Sequence, residues 1–265
     1  VVLPYAAQRC RDIAPHSSRV DAVRRRFQHY AVTAQHACQQ LRGSDLMPTP
    51  PEGVPMPDVG DVASARDWLS LETSNLLAAA LFAGEHGSVD EVAAVAAAVA
   101  PWLEADGLFT NAVGLHQLAR RSVDSTMRAA AADGLASVYA LAGDLETARH
   151  WATLAVAESE GPRRIAAQIG HSQILLKLAR ITEAHAVLTD AVESAREIGS
   201  RFLEGRATAG LAAATQYLGR FEAAEALFTS AAAISEEVGD LSSVAELYTD
   251  MPYLYVLSER CADAE

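Results

Sequence analysis

The chain has 265 residues, half of them apolar, and a formal net charge of −13 at pH 7. This length allows one large or two small domains, and the sequence has no uncharged apolar run of the roughly 18 residues that suggest a membrane span. The acidic excess argues against nucleic-acid binding by the main part of the chain, because phosphate contacts need lysine and arginine.

Two features favour a cytoplasmic location. The three cysteines are scattered and odd in number, which is typical of a reducing compartment. Arginines already stand at positions 9 and 11, so no signal peptide is visible. Because the chain begins with valine and its last residues, CADAE, read as the opening of a helix, we expect a fragment of a longer protein.

Residues 1–42 are predicted to form a helical N-terminal segment. Apolar residues recur every three or four positions from about Val20 to Leu41, which indicates a helix with one buried face. This part is basic: residues 1–45 hold seven arginines and three aspartates, whereas the other 220 residues hold 14 basic and 31 acidic residues. We interpret the cluster RRRF (24–27) as a solvated face, and the alternative is nucleic-acid binding.

Residues 43–61 are predicted to be an extended connector. The stretch GSDLMPTPPEGVPMPDVG (43–60) holds half of the ten prolines of the chain, which excludes a regular helix. Its apolar residues Leu46, Met47, Val54 and Met56 favour a strap lying on a surface, and a flexible linker is the alternative.

Residues 62–265 are predicted to be all-α and to contain an internal repeat. GLFTNAVGLHQLA (107–119), GDLETARHWATLA (143–155), ARITEAHAVLTDA (179–191) and GRFEAAEALFTSA (219–231) share one template. A small residue is followed two positions later by an apolar residue, and alanines recur further on, so that two helices can approach closely. The pairs turn near 107, 143, 179 and 219, and a truncated repeat would turn near 259.

This template resembles the tetratricopeptide repeat (TPR), although these repeats are longer, lack its early tryptophan and mostly lack its closing proline. The resemblance implies an α-solenoid of antiparallel helix pairs, preceded by the helical N-terminal segment. In such arrays the first helix of each pair lines a groove. The positions that match the groove are Asp133, Ser137, Gln173, Lys177, Arg206, Gln216, Tyr217, Thr249 and Tyr253. The residues expected for a carboxylate clamp are absent, since Asp133, Ile169 and Ala209 hold the key position.

The helix ARDWLSLETSNLLAAAL (65–81) does not fit the repeat template. With Ala65, Trp68, Leu69, Glu72, Asn75 and Leu76 it resembles the entry to the repeat region of AfsR-like, SARP-family actinobacterial regulators, and LPYAAQRCRDI (3–13) resembles the end of their winged-helix module. We interpret Trp68 as core and Asn75 as a tie to a neighbouring backbone, with ligand contact as the alternative for Asn75.

The resemblance implies a regulatory or sensor domain of a transcriptional regulator of antibiotic biosynthesis. Its partners would be other domains of the parent regulator or a protein or peptide, and it would form a homo-oligomer in some states. The alternative is a receptor that encloses a small molecule or peptide signal in the groove. The sequence shows no phosphate-binding loop, no paired metal-ligand motif among its eight histidines and no catalytic motif, so we expect neither enzyme activity nor a cofactor or metal.

Overall fold

The computed structural model describes residues 9, 12–13, 15–42, 57, 59–85 and 89–240, which form ten helices and no strand. The helices are α1 (His16–Arg42), α2 (Val62–Glu85), α3 (Val89–Ala105), α4 (Phe109–Ala119), α5 (Ser125–Leu141), α6 (Leu145–Glu158), α7 (Gly161–Lys177), α8 (Ile181–Glu197), α9 (Arg201–Tyr217) and α10 (Phe221–Val238). The predicted all-α fold class is confirmed for this part of the chain. Most of the predicted connector and the predicted turn near 259 lie outside the described residues.

The chain divides into two compact units, Val1–Val138 and Tyr139–Glu265. In the first unit α1 packs against α2 and α3, and α2 also packs against α3 and α4. These helices share one apolar core, with Phe27, Leu69, Leu103 and Leu115 almost fully buried. None of the helices described is both long and apolar enough to cross a membrane.

Residues of the stretch 65–81, which does not fit the repeat template, hold helix α2 against α1. Its buried side includes Leu69 and Leu76, while the Trp68 ring is half-buried, 6.4 Å from the Tyr30 ring of α1. The Glu72 carboxylate accepts hydrogen bonds from the Tyr30 hydroxyl (3.1 Å) and from the Asn75 amide (2.9 Å). Asn75 is exposed, and its amide binds a carboxylate of its own helix. Within the part of the chain that the structure describes, it does not form the hydrogen bond to a neighbouring backbone that the sequence suggested.

In the second unit each helix packs against the next, and α7 also packs against α9. Alanines line the contacts on α6, α8 and α10, where Ala148, Ala184 and Ala224 are fully buried. Glycine allows the closest approaches: a Cβ on Gly210 would lie 2.8 Å from Leu188 Cδ2, and one on Gly205 would lie 2.9 Å from Ile234 Cγ2. Small residues, namely the alanines of the repeat template and the glycines of α9, therefore set the spacing between helices.

The turns between paired helices have one backbone conformation. Gly107, Gly143, Ala179 and Gly219 all have positive φ, of 73°, 86°, 59° and 74°. In each turn the amide of the following residue donates to a carbonyl five residues earlier, as from Arg180 to Leu175 at 2.9 Å. This is the Schellman pattern, which satisfies carbonyls at the end of a helix and reverses the chain.

Candidate partner-binding surface

In the first unit the predicted groove residues Asp133 and Ser137 lie one turn apart on α5, and both are exposed. The Ser137 hydroxyl donates to the Glu104 carboxylate of α3 at 3.3 Å. Desolvation raises the pKa of the Asp133 carboxyl, although the residue as a whole is exposed. Ser137 therefore joins two helices, while Asp133 remains available to a partner.

In the second unit four predicted groove residues, Gln173 and Lys177 on α7 and Arg206 and Tyr217 on α9, are exposed. Tyr217 is the most accessible aromatic residue among the described ones, at 62%. Gln216 differs from its expected placement, because it is 8% exposed. One residue along a helix is a rotation of about 100°, which turns Gln216 inward while Tyr217 faces solvent. Thr249 and Tyr253 lie outside the described residues.

The exposed groove residues belong to two stripes that helical spacing aligns. On α7 the stripe contains Arg163, Ala166, Gln173 and Lys177, and on α9 it contains Phe202, Arg206, Ala213 and Tyr217. Because α7 and α9 pack side by side, we call these two stripes together the α7–α9 face.

The α7–α9 face carries groups that sequence reasoning missed. Arg163 and Phe202 are exposed, and the Arg206 guanidinium lies 5.9 Å from the centre of the Phe202 ring. Phe202 stands four residues before the groove position Arg206, and this spacing was its available signal. Arg163 had no such signal, since it lies ten residues before the nearest predicted groove residue, Gln173. The arrangement can bind carboxylates through its cations and apolar groups through its aromatic rings.

A network of ion pairs fixes the start of α9. The buried Glu204 carboxylate accepts from Arg196 Nε at 2.8 Å and from Arg201 Nη1 at 2.7 Å, and Arg201 Nη2 also binds Glu237 at 2.6 Å. Burial alone would raise the pKa of Glu204, but the hydrogen bonds from both guanidinium groups outweigh it and hold the pKa below its usual value. The network links the ends of α8 and α10 to α9.

The first unit contains an apolar pocket of about 260 Å³ that the sequence did not indicate. It is lined by Cys38, Leu41, Val62, Arg66, Pro101, Trp102 and Ala105. Arg66 is the charged residue among the described residues that line it, and Trp102 Nε1 donates to Thr73 Oγ1 at 3.4 Å. The volume of the pocket lies just below the roughly 300–1,000 Å³ of typical ligand pockets, so only a small and mostly apolar molecule would fit it.

His116 on α4 is the most unusual polar residue of the first unit. It is 3% exposed, and neither of its ring nitrogens has a hydrogen-bond partner among the residues that the structure describes. Its ring packs onto Gly134 of α5, where any Cβ would overlap it. Burial lowers the pKa of His116 to about 4, so the ring is neutral near pH 7. Among the described residues, no group of three or more histidine, cysteine or acidic side chains is arranged to hold a metal ion.

Comparison with solved structures places the fold among helical-repeat proteins. The chain is 16% identical to BtubC (BKLC) from P. vanneervenii, with a TM-score of 0.63, over 76% of this chain and 87% of that one. A putative kinesin light chain from Podosopora anserina with nearly identical TPR-like repeats gives a TM-score of 0.53 at 19% identity, over 64% of this chain and 88% of that one.

A Rap protein complexed with competence and sporulation factor gives a TM-score of 0.56 at 16% identity, over 93% of this chain and 75% of that one. No model of a known protein family matches the chain. No curated protein matches it either. At these identities the similarities show the fold alone, and the fold is that of an all-α protein built of TPR-like repeats.

Proposed function

We propose that the chain is a regulatory protein-interaction domain that binds a protein or peptide through the α7–α9 face. The observation that carries this proposal is the pair of exposed stripes, which set cations and aromatic rings beside small side chains. Small residues let a bound backbone approach, while the larger groups at the edges provide specificity. The Rap protein complexed with competence and sporulation factor lends support, because the match covers 93% of this chain.

The experiment is selection from a random-peptide library with the 265-residue chain. Selected peptides should lose affinity for Ala166→Trp, which places a bulky group at an exposed position of the α7 stripe, and should keep affinity for Ala186→Trp, at an exposed position of α8. No selected peptide, or equal binding to both variants, would show that the α7–α9 face is not a binding surface.

We propose further that this domain belongs to an AfsR-like transcriptional regulator of the cytoplasm and has no catalytic activity of its own. The support is the sequence motif of α2, whose residues Trp68 and Glu72 contact Tyr30 of α1. A partner that binds one arrangement of the helices more tightly than another would shift the regulator towards the state with that arrangement. The size of the shift is set by the difference between the two affinities. Contact with the regulator's other domains, or with a second copy, would act in the same way.

The full-length protein tests the regulator proposal. We expect a winged-helix module and a phosphate-binding loop before this domain, with an ATPase rate that changes in Ala166→Trp but not in Ala186→Trp. A full-length chain that lacks both modules would contradict it.

A second candidate function is reception of a small molecule, which the apolar pocket beside Trp102 favours. A ligand in this pocket should raise the melting temperature and change the tryptophan fluorescence. Ala105→Trp, which adds a large ring at an exposed lining residue of the pocket, should abolish both effects. Stabilisation that survives this substitution would place the ligand elsewhere.

A further inference from the structure

Charge is segregated between the helices of the second unit. Helices α7 and α9, the first helices of their pairs, carry five basic residues and one acidic residue. Helices α6, α8 and α10, the second helices, carry two basic and ten acidic residues. A chain with a net charge of −13 therefore presents a locally basic surface on α7 and α9.

Three basic groups of this surface are available to a partner, whereas Arg201 is held by Glu204 and Glu237. The single acid of α7 and α9 is Glu204, which is buried and bound to Arg196 and Arg201. In contrast, Arg163, Lys177 and Arg206 are exposed, and none of them forms an ion pair within the described part of the chain.

Helix geometry sets the length of the partner segment. Arg163 and Lys177 lie at opposite ends of one stripe, and 14 residues of helix separate them by about 21 Å at about 1.5 Å per residue. An extended peptide covers this distance with about six residues. Gln173 lies between the two cations, where its amide can bind a peptide backbone.

Helix α9 completes the surface alongside. It adds the Arg206 cation and two exposed aromatic residues, Phe202 and Tyr217, while the half-buried Ala209 and Ala213 lie between them. The cations recognise carboxylates, and the rings offer contact to one or two apolar side chains.

We propose that the partner of the α7–α9 face is an extended acidic protein segment of about six residues that includes an apolar side chain. This inference rests on the proposed function and names the chemistry of its partner. A long polyanion such as a nucleic acid fits less well, because the acidic helices α6, α8 and α10 flank the basic surface and repel it.

The test uses two labelled hexapeptides and fluorescence anisotropy. One peptide has glutamates and aspartates around a central leucine, and the other has glutamines and asparagines in their place. At low ionic strength we expect the acidic peptide to bind the 265-residue chain at least about tenfold more tightly, and most of this preference should disappear at about 0.3 M salt, where the screening length is a few ångströms.

Two double variants with the same change in net charge locate the site. The double variant Arg163→Gln, Lys177→Gln should lower the affinity for the acidic peptide about tenfold. Arg121→Gln with Arg220→Gln, which removes two exposed cations outside α7 and α9, should change its affinity by less than about twofold. Circular dichroism confirms that both variants are folded.

Three results would overturn the proposal: equal affinity for the two peptides, equal losses in the two double variants, or an oligonucleotide that binds the chain more tightly than the acidic peptide. These failures are separable from failure of the proposed function. If the library yields neutral peptides that lose affinity for Ala166→Trp, the α7–α9 face is still a binding surface. Only the proposal that its partner is acidic would then be refuted.

Discussion

The stability of the first unit should depend on pH through His116. In the repeat template His116 stands nine residues after the turn residue Gly107, where the later repeats have Ala152, Leu188 and Phe228. All four residues are buried, so a histidine occupies a position that is otherwise apolar. Protonation would place an unpaired charge in the contact between α4 and α5, which is strongly unfavourable.

The magnitude follows from the pKa of His116, which burial lowers from 6.5 to about 4. The folded protein resists protonation while the unfolded chain accepts it, so stability is fully present above pH 6.5 and is lost as the pH falls towards 4. At about 1.4 kcal/mol for each pH unit, the free energy of unfolding should fall by about 2 kcal/mol between pH 7 and pH 5 from this residue.

Urea denaturation of the wild type and His116→Leu at both pH values tests this expectation. Leucine is a suitable replacement, because Leu188 packs against Gly210 as His116 packs against Gly134. His116→Leu should lose about 2 kcal/mol of the pH dependence, whereas His150→Leu, at an exposed position, should retain all of it. The half-buried His171, whose pKa is lowered chiefly by burial, adds a dependence of the same sign in every variant. A pH dependence that is unchanged in His116→Leu, or an NMR titration of His116 near pH 6.5, would refute the reasoning.

Four further substitutions probe the turns and the contacts between helices. Ala179→Gly should stabilise the chain by about 0.5–1 kcal/mol in urea denaturation, since Ala179 has φ of 59°; Gly143→Ala, at φ of 86°, should have the opposite effect, and the same sign for both would contradict the argument. Gly134→Ala should cost about 1–3 kcal/mol because its Cβ overlaps His116, and the cost should shrink in a His116→Ala background. Additive losses would argue against this contact. Glu204→Gln should cost about 1–2 kcal/mol at neutral pH, since its two arginine partners are partly exposed. Its pKa is lowered, so the loss should shrink as the pH falls through the acidic range, and a pH-independent loss would show that charge is not its cause.

Local signals in the sequence account for much of this architecture. Glycine or alanine at a fixed place in each repeat marked the residues that have positive φ, because a reversal after a helix needs the left-handed conformation. The alanine spacing likewise marked the buried faces of α6, α8 and α10. The exposure of the groove residues was predicted less accurately, since Gln216 is buried while the adjacent Tyr217 is exposed. Successive residues of a helix differ in direction by about 100°, so an error of one position in the repeat alignment changes which side of the helix is expected to be exposed. The packing of neighbouring helices decides which side is buried.

The sequence by itself determined the all-α character of the chain, its repeat period and the acidic balance of its charge, because these depend on residues close together in sequence. Only the tertiary structure decided which side chains have partners. It paired Tyr30 with Glu72 across 42 positions, packed the His116 ring against Gly134, and placed α7 beside α9. These features arise from contacts between distant helices, and the energy of such contacts depends on burial and geometry that no local pattern encodes.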